Sequence, residues 1–224
     1  MGDMDTALGE RAVRIPASGG AKLAADLAFP QPAAGLVMVA SCWRSPRVRR
    51  RTQPVVAALA ECDFATLRLD LLTLEESARD EQSGEYRYDI GLLARRLVDA
   101  IDWTTTEAQL ASLPLALYSA STAAAAALIA AAERPSRVHA VLSCGGRPDL
   151  AGETLERVAA PALLIVGSGD DPVAAMNRDA LKRLGAHAEL ALVPGASHAE
   201  DRGAGDEVAR LATAWCQRYL WSMA

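Results

Sequence analysis

The chain has 224 residues, a formal net charge of −5, and a composition that is 51% hydrophobic but only 4% aromatic. This length and apolar content suit one α/β domain with a sizeable core, and the acidic balance argues against nucleic acid as a partner. No apolar run reaches the roughly 18 residues that a membrane span needs, so a membrane partner is not expected.

Residues 1–10 read as a loose polar tail without the basic start and apolar stretch of a signal peptide, so a cytoplasmic location is expected. Residues 11–224 read as a single domain, with monomer and homodimer both left open. Cys42, Cys62, Cys144 and Cys216 are widely spaced with no C-x-x-C pair, which predicts free thiols rather than a disulfide or a metal site. No cofactor is implied. Much of the apolar content is alanine, so the core is expected to be tight and made of many small contacts.

In chain order, Arg11–Ile15 and Lys22–Ala28 read as short strands around the turn signal Ser18-Gly19-Gly20, an antiparallel hairpin at a sheet edge. Gly35–Ala40 is a continuous apolar run, the pattern of a strand buried on both faces. Thr52–Glu61 has helical spacing, and Phe64–Leu69 is a strand ending at Asp70. Leu71–Arg87 is charged and poorly periodic, which predicts a loop or partial lid at the carboxyl ends of the strands.

Ile90–Trp103 is an amphipathic helix, with Ile90, Leu93, Leu97, Val98 and Ile101 opposite Arg95, Arg96 and Asp99. Leu115–Tyr118 is a strand and Thr122–Glu133 an alanine-dominated helix. Val138–Leu142, Ala162–Val166 and Ala188–Val193 are strands; Val173–Leu184 and Val208–Trp221 are helices. Two antiparallel strands followed by βα repeats predict an α/β fold, a mostly parallel sheet of about 7–8 strands with helices on both faces.

The chemistry concentrates at Leu115-Ala116-Leu117-Tyr118-Ser119-Ala120-Ser121-Thr122-Ala123, where a buried strand meets a buried helix with almost no loop. Such a turn strains its central residue and needs small neighbours two positions away, here Ser119 and Ala123. It would lift the Ser121 hydroxyl over the sheet and aim the Thr122 amide at the same space, where a helix N-terminus can stabilise an oxyanion. The competing reading is an ordinary N-cap serine.

A serine nucleophile needs a base and an orienting carboxylate. Of the three histidines, His139 lies inside a strand and reads as packing, and His187 reads as a solvated turn residue. His198 follows the last strand in Val193-Pro194-Gly195-Ala196-Ser197, a loop that can bring an imidazole over the elbow. The acid candidate is Asp170, at the end of Leu163-Leu164-Ile165-Val166-Gly167-Ser168-Gly169-Asp170-Asp171-Pro172; Asp171, before the proline, is expected to be the N-cap of the next helix. Serine, aspartate and histidine thus follow in the order of the α/β-hydrolase triad.

Together with Leu69-Asp70-Leu71-Leu72-Thr73, Asp89–Leu97, Gly145-Gly146-Arg147-Pro148-Asp149-Leu150 and Val193-Pro194-Gly195-Ala196, these motifs make the chain resemble the dienelactone-hydrolase-like branch of the α/β-hydrolase superfamily over nearly its whole length. The resemblance implies an α/β-hydrolase fold, Ser121 as nucleophile, Asp170 as acid, His198 as base, and cofactor-free cleavage of an ester, lactone or thioester. The Thr122 amide, with one near Ser41 or Cys42, would hold the oxyanion.

Dienelactone hydrolases carry cysteine at the elbow, so the serine is nearer to carboxylesterases. The elbow reads S-A-S-T-A where G-x-S-x-G is usual, and Ala40-Ser41-Cys42-Trp43-Arg44-Ser45-Pro46 lacks the usual His-Gly pair. These departures keep open a second reading, a non-hydrolytic homologue that binds, isomerises or cyclises a small molecule.

Arg44, Arg47, Arg49, Arg50 and Arg51 crowd the segment after the third strand. Arg44 and Arg47 are candidates to clamp a carboxylate or phosphate on an anionic substrate, and Trp43 to wall its pocket. A solvated basic loop leading into a helix explains the same residues.

Overall fold

A computed structural model describes residues 9–42, 46–185, 187–196 and 203–221, with only the backbone described at 46–48. The expected hairpin is present as β1 (Gly9–Ala17) and β2 (Ala21–Phe29), paired antiparallel. The remaining strands are β3 (Gly35–Ser41), β4 (Phe64–Asp70), β5 (Leu115–Ala120), β6 (Val138–Cys144), β7 (Ala162–Gly167) and β8 (Ala188–Val193). They form one eight-stranded sheet in the order β1-β2-β4-β3-β5-β6-β7-β8, in which only β1–β2 and β2–β4 pair antiparallel. Because β3 to β8 run parallel, their carboxyl ends line up along one edge, the usual ligand edge of such sheets.

Helices α1 (Pro46–Glu61) and α7 (Gly205–Leu220) cover one face; α4 (Ile90–Thr106), α5 (Ala123–Glu133) and α6 (Asp171–Arg183) cover the other. Alternation in the strands feeds both layers. Leu115 and Leu117 join the α4–α5 side, and Ala116 and Tyr118 join the α1–α7 side. In α5 the run Ala123–Ala127 is completely buried. Five side chains that end at Cβ let the helix axis lie close to the sheet, which brings the first turn of α5 directly onto the end of β5.

The segment expected to be a loop is helical. Leu74–Ser83 forms α2 and Glu85–Tyr88 forms α3. Its pattern lacks an apolar stripe because the helix is held by its ends. Thr73 and Glu76 make a reciprocal capping box, and Gly84 closes α2 in the left-handed conformation at φ 70°. Glu76 also takes a two-pronged bond from the buried Arg96 at 2.6 Å on each arm, and Arg96 donates to Leu71 O at 2.8 Å. The guanidinium holds the Glu76 carboxyl below the ordinary carboxylate range.

Helix α1 begins at Pro46 rather than at Thr52, so Arg47, Arg49, Arg50 and Arg51 lie on helix and not on a loop. Arginine is a good helix former and proline fits a first turn, while the apolar stripe of Val55, Val56 and Leu59 starts only later. A 3₁₀ stretch over Pro148–Arg157, broken at Gly152, was also not anticipated. Among the described residues, no helix is long and apolar enough to cross a membrane.

Candidate active site

At the end of β5 the backbone of Ser121 adopts φ 52°, one of two non-glycine residues with positive φ among those described. A side chain in that region costs about 1–3 kcal/mol and persists only where its surroundings over-determine it. Here they do. The Ser121 carbonyl accepts from Ala124 N at 3.2 Å and from Arg147 N at 3.0 Å, one bond from the new helix and one from the loop after β6. Ser119 and Ala123, the small flanking residues, are fully buried. Ser121 itself is exposed, whereas Thr122 is only 5% exposed.

The N-cap reading of Ser121 does not hold. Thr122 occupies the cap position of α5 with no side-chain capping bond, and no hydrogen bond joins Ser121 Oγ to a helix amide among the described residues. The amides of Ala123 and Ala124 are taken by Cys42 and the Ser121 carbonyl, which leaves the Thr122 amide as the one beside the exposed serine without a partner among the described residues. That is the arrangement an oxyanion site requires.

The end of β3 lies next to this turn, since Ala40 pairs with Ser119. Ser41 closes the strand, and its carbonyl accepts from Leu71 N at 2.8 Å. Cys42 places its Sγ 3.5 Å from Thr122 Oγ1 and takes a bond from the Ala123 amide. Burial pushes this thiol up to about 11, so at neutral pH the sulfur is uncharged against the helix terminus. Trp43 and Arg44 lie outside the described residues, as does the side chain of Arg47.

On the far side, β7 ends at Gly167 and Asp170 follows three residues later. Asp170, not Asp171, is the N-cap of α6: its Oδ1 accepts from Val173 N at 3.4 Å. Asp171 and Pro172 instead fill the first helical positions, where proline's missing N–H is no loss. A carboxylate has two oxygens, so a single long capping bond does not exclude a second partner.

His198 lies outside the described residues. The chain just before it is fastened to the aspartate turn, for Gly169 N donates to Ala196 O at 2.8 Å and Ser168 N to Val193 O at 2.9 Å. His139 is the packing residue anticipated. It sits at the opposite end of the sheet, where burial holds its imidazole below the ordinary histidine range. His187 is exposed in the turn before β8.

Two features near the site were not read from the sequence. Asp80 of α2 is completely buried and bonds Arg87 through both backbone N and Nε, at 2.9 and 2.7 Å. This pair lies close enough to Cys42 for both charges to act on its thiol. The second is Asn177 of α6, also completely buried. Neither belongs to a recognisable motif: Asp80 meets Arg87 across the α2–α3 junction, and Asn177 meets Gly146 in a segment remote in sequence.

A dienelactone hydrolase from Anabaena variabilis is 45% identical to this chain, covering 96% of it and 99% of that structure, with a TM-score of 0.87. The chain belongs to the dienelactone-hydrolase-like family of α/β-hydrolases. More distant members of the fold confirm the architecture alone: Est1E from Butyrivibrio proteoclasticus is 15% identical, covers 92% of the chain and 98% of its own, and has a TM-score of 0.74. A dienelactone hydrolase-like promiscuous phosphotriesterase from metagenomic libraries is 19% identical, covers 93% and 99%, and has a TM-score of 0.71.

No family model matches the sequence. A Mycobacterium tuberculosis protein provisionally named a phosphoribosyl transferase is 42% identical over 212 residues, 94% of this chain and 47% of that protein. The chain thus spans about half the length of the curated relatives it matches.

Proposed function

We propose that this α/β-hydrolase is a serine hydrolase that cleaves a small ester, lactone or thioester. The observation that carries the reading is the Ser121 elbow. A strained, exposed serine at φ 52° stands at the N-terminus of a buried helix, on the ligand edge of the sheet. In this reading the Ser121 hydroxyl attacks the carbonyl carbon while the imidazole of His198 takes its proton. The tetrahedral oxygen is held by the Thr122 amide and by one contributed near Ser41 or Cys42. Collapse expels the alcohol or thiol, which receives the proton from His198, and water then repeats the sequence on the acyl-serine.

Asp170 orients the imidazole. Support for this comes from the two backbone bonds that fasten residues 193 and 196 to the turn bearing Asp170. Arg44 and Arg47, at and before the start of α1, would favour an anionic substrate. A cytoplasmic setting accords with cysteines that form no disulfide.

Turnover of p-nitrophenyl acetate by the intact chain tests the reading. Steady hydrolysis that Ser121→Ala lowers by about 10,000-fold supports it. Turnover unchanged by that substitution overturns it. A folded chain that turns over neither short esters nor lactones favours instead a non-hydrolytic descendant, the reading invited by the alanine and serine that replace the elbow glycines.

A further inference from the structure

Asn177 lies nearly two turns into α6 and is 0% exposed. Its Nδ2 donates to Gly146 O at 3.1 Å and to Val173 O at 2.8 Å. Two carbonyl oxygens around one terminal atom settle which end of the amide is nitrogen. Its Oδ1 is buried with no hydrogen-bond partner among the described residues. A buried amide that leaves one end unpaired is a poor choice for packing alone, since an apolar side chain of similar size would leave nothing unsatisfied. Its donors are therefore where its value lies.

Both of those bonds lead to the proposed catalytic groups. Val173 is the residue whose N–H meets Asp170 Oδ1. Gly146 is followed by Arg147, whose N–H meets the Ser121 carbonyl at 3.0 Å. Gly146 cannot move further inward. A Cβ there would stand 2.1 Å from Ser143 Oγ and 2.5 Å from Ala124 Cβ, so its backbone is pressed onto β6 and the first turn of α5. The path Asp170–Val173–Asn177–Gly146–Arg147–Ser121 is hydrogen-bonded or covalent at every step, and Asn177 is its one side-chain bridge between α6 and the loop after β6.

We propose that Asn177 is a positioning residue that fixes the distance between the acid turn and the nucleophile elbow by tying Val173 O to Gly146 O. This rests on the hydrolase reading for Ser121 and Asp170. Substrate never touches Asn177. Loosening it would let the Gly145–Arg147 loop shift, release the Ser121 carbonyl, and widen the gap that the imidazole must bridge. A misplacement of about 1 Å in such a constellation lowers rate by about 100-fold without changing how substrate first binds.

The test compares Asn177→Leu, which keeps the branched shape and removes both donors, with Asn177→Asp, which keeps shape and replaces the donor nitrogen by oxygen. Two readouts are taken on the intact chain: p-nitrophenyl acetate kinetics and amide hydrogen exchange. Expected for Asn177→Leu are a kcat lowered about 10- to 100-fold, KM within about twofold, and Arg147 amide exchange at least about tenfold faster. Core amides such as that of Leu117 should stay protected. Asn177→Asp should behave alike at pH 8 and regain rate relative to wild type as acid protonates it and restores one donor.

Unchanged kcat with unchanged Arg147 exchange in either folded variant overturns the proposal. So does a uniform rise in exchange across the sheet, or a fall in activity explained wholly by KM. If Asn177→Leu does not fold, Asn177→Asp alone decides by the same criteria. A wild type that hydrolyses no ester refutes the hydrolase reading; the Arg147 exchange then shows whether the tie between α6 and the loop exists without it.

Discussion

Strands β5 and β6 are irregular at both ends, and the two irregularities are settled in opposite ways. At the start, the register slips between Leu115 and Ala116, so His139 has no strand partner. Its Nδ1 accepts the Leu115 N–H at 3.1 Å, filling the rung that the bulge left open. At the finish, Ser121 is forced to φ 52° and its hydroxyl stays exposed, uncompensated by any capping bond among the described residues. A side chain that heals the backbone defect beside it is structural. A defect maintained from outside, with its side chain left exposed, is the mark of a site.

The largest effect expected from breaking this contrast is at Ser121. Ser121→Gly should remove ester turnover as completely as Ser121→Ala, about 10,000-fold. It should also raise stability by about 1 kcal/mol in a urea melt, because glycine relieves the strain at a smaller entropic cost. A loss of stability would mean that the elbow is not strained.

Next is Gly146→Ala. With Ser143 Oγ 2.1 Å from the added carbon and Ala124 Cβ at 2.5 Å, overpacking should destabilise the chain by about 1–3 kcal/mol. Ser143→Ala or Ser143→Gly in the same chain should recover part of that.

At the healed end, His139→Phe leaves the Leu115 N–H unpaired, at a cost of about 1 kcal/mol with kcat unchanged. The pH dependence follows the imidazole. Its pKa is lowered in the folded chain by burial and by Arg137, so the unfolded chain binds the proton more readily. The stabilisation is complete above the unfolded value of about 6.5 and is lost as pH falls below it toward the folded value. His139→Phe should remove that acid-side slope.

The smallest effect concerns Cys42. With its thiol near 11, only about one part in a thousand is thiolate at pH 8, so iodoacetamide should leave Cys42 unmodified over an hour while the chain is folded.

The same contrast explains what the sequence disclosed. All eight strands and helices α4 to α7 announce themselves: the hairpin by its Ser18-Gly19-Gly20 turn, the inner parallel strands as unbroken apolar runs, α5 by its alanines and the other helices by a repeating apolar stripe. The elbow was legible too, since Ser119, Ser121 and Ala123 must be small where a strand turns straight into a helix. Helices α2 and α3 were not, because Thr73, Glu76 and Gly84 hold them at their ends while their surfaces carry charge all round. Asp170 and Asp171 exchanged capping roles because proline at the second helical position moves the cap one residue earlier than its neighbourhood suggests. Asn177 had no local signal, since its partners lie at Val173 and at Gly146 on a different strand's loop.

The central claim, that Ser121 is a nucleophile, is tested most directly by a fluorophosphonate probe at neutral pH followed by peptide mapping. The account predicts a single stoichiometric adduct on the peptide containing Ser121, formed on the folded chain and absent after urea unfolding. An unmodified Ser121 in a chain whose melt confirms that it is folded would contradict it.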